Sequence, residues 1–216
     1  MSRYRNIALC VGLLGAMPAH AEQRDLWLFA QWTASHDTRG FRDMLVQARL
    51  YGVVPLYQLL RSASDWRLCG AEPFALAPPA QWPAVRSTLQ LLKTLNDQQR
   101  LKGFEVVSAY RNPTLNRCAG GARDSAHTRA FALDLLLPAW SDPRPLCTFW
   151  QTQGQAWNMG LGRYPSGRIH IDTAGYRTWG GDLSAGSSFC AALAPITQSA
   201  NRVPGAPGSK GRELSR

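Results

Sequence analysis

Apolar side chains return at helical spacing through the first part of this chain. Phe41, Met44, Leu45, Ala48, Leu50 and Tyr51 set that rhythm, and residues 22–65 read as helical throughout. Pro55 opens a further turn set that runs to Arg61. A proline-rich loop from Glu72 to Pro83 interrupts the pattern. Trp82, Val85, Leu89, Leu91, Leu92 and Leu95 then mark another helix, expected to end near Gly103. From Phe104 the period changes to two, so Phe104–Ser108 reads as a strand and Tyr110–Pro113 as the turn leaving it. Residues 114–126, with Gly120-Gly121, read as a loop. The short apolar run Ala130–Leu137 reads as a buried strand, Cys147–Met159 as a helix stopped by Gly160, and Arg168–Thr173 as a strand after a Gly/Pro turn. Helices come first and strands later, which predicts an α+β fold: a small antiparallel sheet, helices packed on one side, and an N-terminal helical extension.

The ends change this picture. Arg3 and Arg5 precede an apolar run, Ile7–Ala16, that is too short to span a bilayer, and Ala19-His20-Ala21 fits a processing site. Residues 1–21 are therefore expected to be a signal peptide, with the mature chain starting at Glu22. Cys10 lies inside the apolar run without the setting for lipidation. Residues from 197 on are rich in Pro, Gly, Ser and Arg and read as a disordered basic tail. Between these ends the reading divides the chain into an N-terminal helical region, 22–99, and a core, 100–196.

The net charge of +10 suits an exported protein that meets an anionic polymer, such as the bacterial wall. Nucleic acid is a poorer partner for an exported chain, stable membrane insertion is not expected, and the reading favours a monomer. Cys69, Cys118, Cys147 and Cys190 are an even set scattered singly, which suits disulfides better than a zinc–thiolate site. Three pairings exist; the expectation is Cys69–Cys118 and Cys147–Cys190, with unbridged core thiols as the alternative.

The chemistry concentrates in Ser125-Ala-His127 through Asp134 and in Ile169-His170-Ile-Asp172. Two imidazoles and a carboxylate form the open three-ligand set of a catalytic zinc, with the fourth position left for water. On a strand, Asp134 faces away from Phe131, Leu133 and Leu135, while His170 and Asp172 share a face. Taken singly, each of these residues has an ordinary structural reading. His36 sits in a remote polar stretch and reads as solvated. Tyr110, Tyr164, Trp157 and Trp179 are candidates to line a groove, although aromatics are as readily core. Asp142 and Asp182 have no evident partner.

Taken together, Ser108-Ala-Tyr-Arg111, Asn116, Gly120-Gly121, Ser125-x-His127-x6-Asp134, Gly162-x-Tyr164-Pro165 and Ile169-His170-Ile-Asp172-Thr173 resemble the M15-type zinc peptidases. These include D-alanyl-D-alanine carboxypeptidases, dipeptidases and murein endopeptidases, and the ending is most similar to their periplasmic branch. The resemblance spans about residues 100–182. It implies a Zn2+ cofactor held by His127, Asp134 and His170 and peptidoglycan peptides as substrate, while the expected signal peptide implies a periplasmic or secreted location. It also implies that Arg111 is the cation meeting the oxyanion, with a structural salt bridge to Asp134 or Glu105 as the alternative.

The chain departs from the family pattern at two places. Ala130 stands where glycine is usual, which would strain the backbone if φ there is positive. Gly167 and Arg168 stand where many relatives carry an acid or a histidine as general base. Asp172 is then the remaining carboxylate, either as base or as the partner that orients His170. A catalytically silent wall-binding module with the same fold is the alternative function.

Overall fold

Leu133 and Leu135 alternate with Ala132 and Asp134 along one strand, and that alternation sorts the sheet into a core face and a site face. The computed structural model describes residues 17–191, with side chains from residue 22 on. The sheet strands are β1 (Glu105–Ser108), β2 (Ala132–Leu136), β3 (Gly160–Arg163), β4 (Ile169–Asp172) and β5 (Arg177–Trp179), in the order β1-β2-β4-β3-β5. Pairing is antiparallel except between β3 and β5, which run parallel. The helices are α1 (Met17–Thr33), α2 (Arg39–Gln47), α3 (Leu56–Leu59), α4 (Trp82–Asp97), α5 (Pro113–Cys118) and α6 (Arg144–Gln153), with short 3-10 turns at Pro79–Gln81 and Ala126–Arg129. The fold is α+β, as the order of elements predicts.

Leu133, Leu135, Leu161, Ile169 and Ile171 turn to the core face and join Leu91, Leu92 and Leu95 of α4 and Leu146 and Phe149 of α6 in one buried cluster. Each such side chain contributes about 1.5–3 kcal/mol by leaving water. The cluster continues into Phe41 and Leu45 of α2, the face that the helical spacing marks.

Several boundaries differ from the sequence reading. α4 stops at Asp97 because Gln99 takes a left-handed φ of 57°, well before Gly103. α6 begins at Arg144, whose backbone N–H donates to the Asp142 carboxylate at 2.9 Å, and it ends before Gly154. Residues 114–126 are not all loop, since α5 occupies their start, with Asn112 accepting from the Leu115 N–H at 2.8 Å as its cap. β5 has no counterpart in the sequence reading. Cys69–Cys118 and Cys147–Cys190 are both bridged, as expected. Among the described residues no helix is long and apolar enough to cross a membrane. α1 runs across the expected processing point after Ala21. The rest of the expected signal peptide and the basic tail lie outside the described residues.

Candidate metal centre

The register of the sheet assembles the site in one row. Ser108 pairs with Asp134, Asp134 with His170, His170 with Gly162, and Gly162 with Trp179. Side chains in such a row stand beside one another on the same face. His127 joins the row from the 3-10 turn before β2, a turn that the Ser125 hydroxyl caps by accepting from the His127 N–H at 3.3 Å. The residue that caps its end, Ala130, has φ 58° and ψ 23°, the left-handed conformation anticipated for a position where glycine is usual.

His127 Nε2, His170 Nδ1 and Asp134 Oδ1 face one another. The separations are 3.3 Å between the two nitrogens, 3.1 Å from His127 to Asp134 and 2.9 Å from His170 to Asp134. All three residues are buried. The far nitrogen of each ring fixes its tautomer. His127 Nδ1 lies 2.6 Å from the Ala109 carbonyl, which only accepts, so Nδ1 carries the hydrogen and Nε2 the lone pair. His170 Nε2 lies 2.8 Å from the Asp172 carboxylate, which leaves Nδ1 to face the cluster. Three electron-pair donors therefore converge, and the hydrogens brought to them come from Arg111 Nη2, 3.2 Å from His127 Nε2, and the Tyr164 hydroxyl, 3.4 Å from His170 Nδ1. Such a donor set suits a divalent cation, and these three side chains could hold one.

The electrostatics agree. Burial pushes the His127 imidazole below its ordinary pKa, against the pull of Asp134. Burial also acts to raise Asp134, but the two imidazoles beside it outweigh that and hold it well below the usual carboxylate range. His170 is raised despite its burial because the carboxylates of Asp134 and Asp172 flank it, so the pocket favours positive charge there. Burial, reinforced by the Asp134 charge, raises Tyr164, so its hydroxyl keeps its proton.

Arg111 is at the cluster. Its Nη2 pairs with Asp134 Oδ2, and its Nε donates to the Ser108 hydroxyl at 2.9 Å. Nη1 makes no bond among the described residues. Glu105, the other acid considered for Arg111, pairs with Arg61 at 2.6 Å instead. Asp172 is fully buried behind His170. Its oxygens accept from His170, from the Ala174 N–H at 2.8 Å and from Arg177 at 3.0 and 2.6 Å. Arg177 escaped the sequence reading because its role depends on β5.

A cleft of about 650 Å3 opens over the row, walled by Ser64, Gly120, Ser125, Tyr164, Arg168 and Trp179. Of the four aromatics considered for a groove, Tyr164 and Trp179 line this cleft, while Tyr110 and Trp157 do not. His36 is remote, stacked on Trp32 at 4.1 Å between ring centres and only part exposed. Asp142 pairs with Arg144 at 2.7 Å, and Asp182 accepts from the Ser184 N–H at 2.9 Å.

A buried pair of imidazoles and a carboxylate, beside an arginine in an open cleft, defines a site of the metallopeptidase type. The Peptidase M15 family model matches residues 67–172, which contain Arg111, His127, Asp134, His170 and Asp172, and through this segment the chain belongs to the M15 peptidase family. The match starts earlier than the 100–182 span of the motifs and takes in α4, whose leucines form the core behind β2. No curated protein and no solved structure matches the chain.

Proposed function

We propose that the protein is an exported zinc metallopeptidase that hydrolyses peptide bonds next to D-amino acids in peptidoglycan stem or cross-link peptides. The observation that carries this reading is the convergence of His127 Nε2, His170 Nδ1 and Asp134 Oδ1 within the M15 segment. Two disulfides and the basic charge favour export to an oxidising compartment and an anionic polymer there.

In this reading His127, Asp134 and His170 hold the zinc. When bound, zinc supplies Lewis acidity to a carbonyl oxygen and brings the pKa of water towards about 7. Arg111 turns its free Nη1 to the carbonyl oxygen, on which negative charge grows as water adds to the carbonyl carbon and is given back as the C–N bond breaks, and Ser108 fixes the guanidinium for that task. Tyr164 contributes a neutral O–H donor at the same place. Asp172 orients His170 and fixes its tautomer; both of its oxygens are already engaged, so it acts by positioning rather than as the base.

The test is to incubate zinc-loaded protein with purified sacculi and separate the released muropeptides, alongside the metal content of each sample. Wild type should release peptide products, and chelation should stop the release. His127→Ala should lose both metal and activity while keeping the circular dichroism of the fold. Protein that binds no zinc and releases nothing would sink the reading. One observation favours the silent module: every carboxylate bonded to the two histidines is already committed, and Gly167 and Arg168 offer no base. In that case zinc and sacculi would bind without release.

A further inference from the structure

Three arginines line the cleft, and two of them are neutralised. Arg111 pairs with Asp134, and Arg177 reaches both oxygens of Asp172. Arg168 has no carboxylate partner among the described residues. Its one side-chain bond runs from Nη1 to the Ser64 hydroxyl at 2.8 Å, leaving four of its five N–H donors unused. Asp65 and Asp124 also edge the cleft, exposed, and neither is bonded to Arg168.

The position is built rather than incidental. Arg168 leads directly into β4, and its carbonyl accepts from the Tyr164 N–H at 3.0 Å across a turn where Gly167 has φ 85°. It stands two residues before His170, so both side chains leave the same face, about 6.6 Å apart along the strand. Its far end rests on Ser64, on the wall opposite. That wall is itself held: the Ser62 carbonyl accepts from the Ser108 hydroxyl at 2.6 Å, and Cys69 is bridged to Cys118.

A peptide whose scissile carbonyl lies at the His127–Asp134–His170 cluster carries its next backbone carbonyl one residue on, about 3.3–3.6 Å along the chain. There an internal residue presents a neutral amide and a terminal residue presents a carboxylate. An uncompensated guanidinium discriminates between these two, because only the carboxylate supplies charge and paired acceptors.

We propose that Arg168, steadied by Ser64, anchors the free α-carboxylate of the residue to be released, so that the enzyme favours bonds whose leaving residue carries that carboxylate. This rests on the metal centre marking the scissile bond. It also gives a function to the position where relatives' general base is missing.

The test uses the zinc-loaded full chain and two probes, an N-blocked L-Lys-D-Ala-D-Ala tripeptide with a free C-terminal carboxylate and the same peptide as its C-terminal amide. Affinity is read by calorimetry under conditions where turnover is blocked by cold or by a non-hydrolysable linkage, and kcat/KM is read separately. The acid should bind about 10- to 100-fold more tightly than the amide. Arg168→Gln should bring that ratio to near one with zinc content and melting temperature kept, and Arg168→Lys should keep only part of it. Equal affinity of wild type for the two probes, or binding of neither, overturns the proposal. So does an acid preference that survives Arg168→Gln, since the carboxylate would then be held elsewhere. Acid-selective binding without hydrolysis leaves the anchor standing and removes the peptidase reading; equal hydrolysis of acid and amide does the reverse.

Discussion

Ala130 ends the turn that aims His127, and it does so with a side chain in a backbone region that costs an L-residue about 1–2 kcal/mol. Its methyl is buried, which returns about 0.8 kcal/mol. The balance favours glycine slightly, so Ala130→Gly should raise stability by about 0.5 kcal/mol in urea unfolding, and a loss would mean that methyl packing outweighs strain. Asp172 poses a sharper question at the same scale. Asp172→Asn removes the charge behind His170 and should weaken zinc binding about 10- to 100-fold by competition with a chelator. The acidic limb of the kcat/KM–pH profile should remain, because both Asp172 oxygens are already engaged by His170, Ala174 and Arg177; loss of that limb would make it the base. His127, Asp134 and His170 were legible as a set because their spacing and residue types carry the signal. The Ala109 carbonyl and Ser108, which fix a tautomer and a guanidinium, were not legible as contacts, since any residue has a carbonyl and serine is common.

At the scale of elements, the glycines of β3 decide how the site closes. A Cβ at Gly162 would overlap the Trp179 indole, and one at Gly160 would overlap the Asp172 carboxylate. Their absence lets β5 send Trp179 over β3 to within 5.4 Å of His170, ring centre to ring centre, and Arg177 across to Asp172. Gly162→Ala should therefore cost about 1–3 kcal/mol by overpacking. Gly160→Ala should cost the same and also lower zinc affinity, because it displaces the carboxylate that orients His170. Unchanged zinc affinity in Gly160→Ala would separate Asp172 from the metal centre. This link also explains what the sequence hid. β5 spans three residues with no buried alternation, and its parallel pairing depends on those glycine gaps. α5 is six residues long, too short for a periodic signal, although Asn112-Pro113 is an N-cap followed by proline at the first helical position. α2, α4, β2 and β4 were readable because each sets apolar buried positions against exposed or polar ones.

Across the whole molecule, disulfides and buried charges set the working range. Cys69–Cys118 closes 49 residues and ties the wall bearing Ser64 to the end of α5, beside Gly120. Chain entropy puts the bridge at about 4 kcal/mol, so Cys69→Ser with Cys118→Ser should lower the melting temperature strongly and raise KM more than it lowers kcat. Charge adds a pH dependence whose sign is fixed. In the folded chain burial acts to raise both Asp134 and Asp172, yet both lie below the usual carboxylate range, Asp134 because of His127 and His170, Asp172 because of His170 and Arg177. The unfolded chain therefore takes up their protons first, and their contribution is complete above about pH 4 and lost as pH falls further. His127 is lowered, so its contribution is complete above about pH 6.5 and declines as pH falls. His170 is raised and acts oppositely, favouring the fold below about pH 6.5 and losing that share as pH rises. Urea unfolding of the chelated protein should thus show its greatest stability near about pH 6.5, with His127 lowering it on the acid side, His170 lowering it on the alkaline side, and a steep further fall below about pH 4. Added zinc should change the shape of the curve, because protons compete with the cation at all three ligands. The gain from zinc should be largest near pH 8 and vanish towards pH 4; a gain independent of pH would place the cation somewhere other than His127, Asp134 and His170.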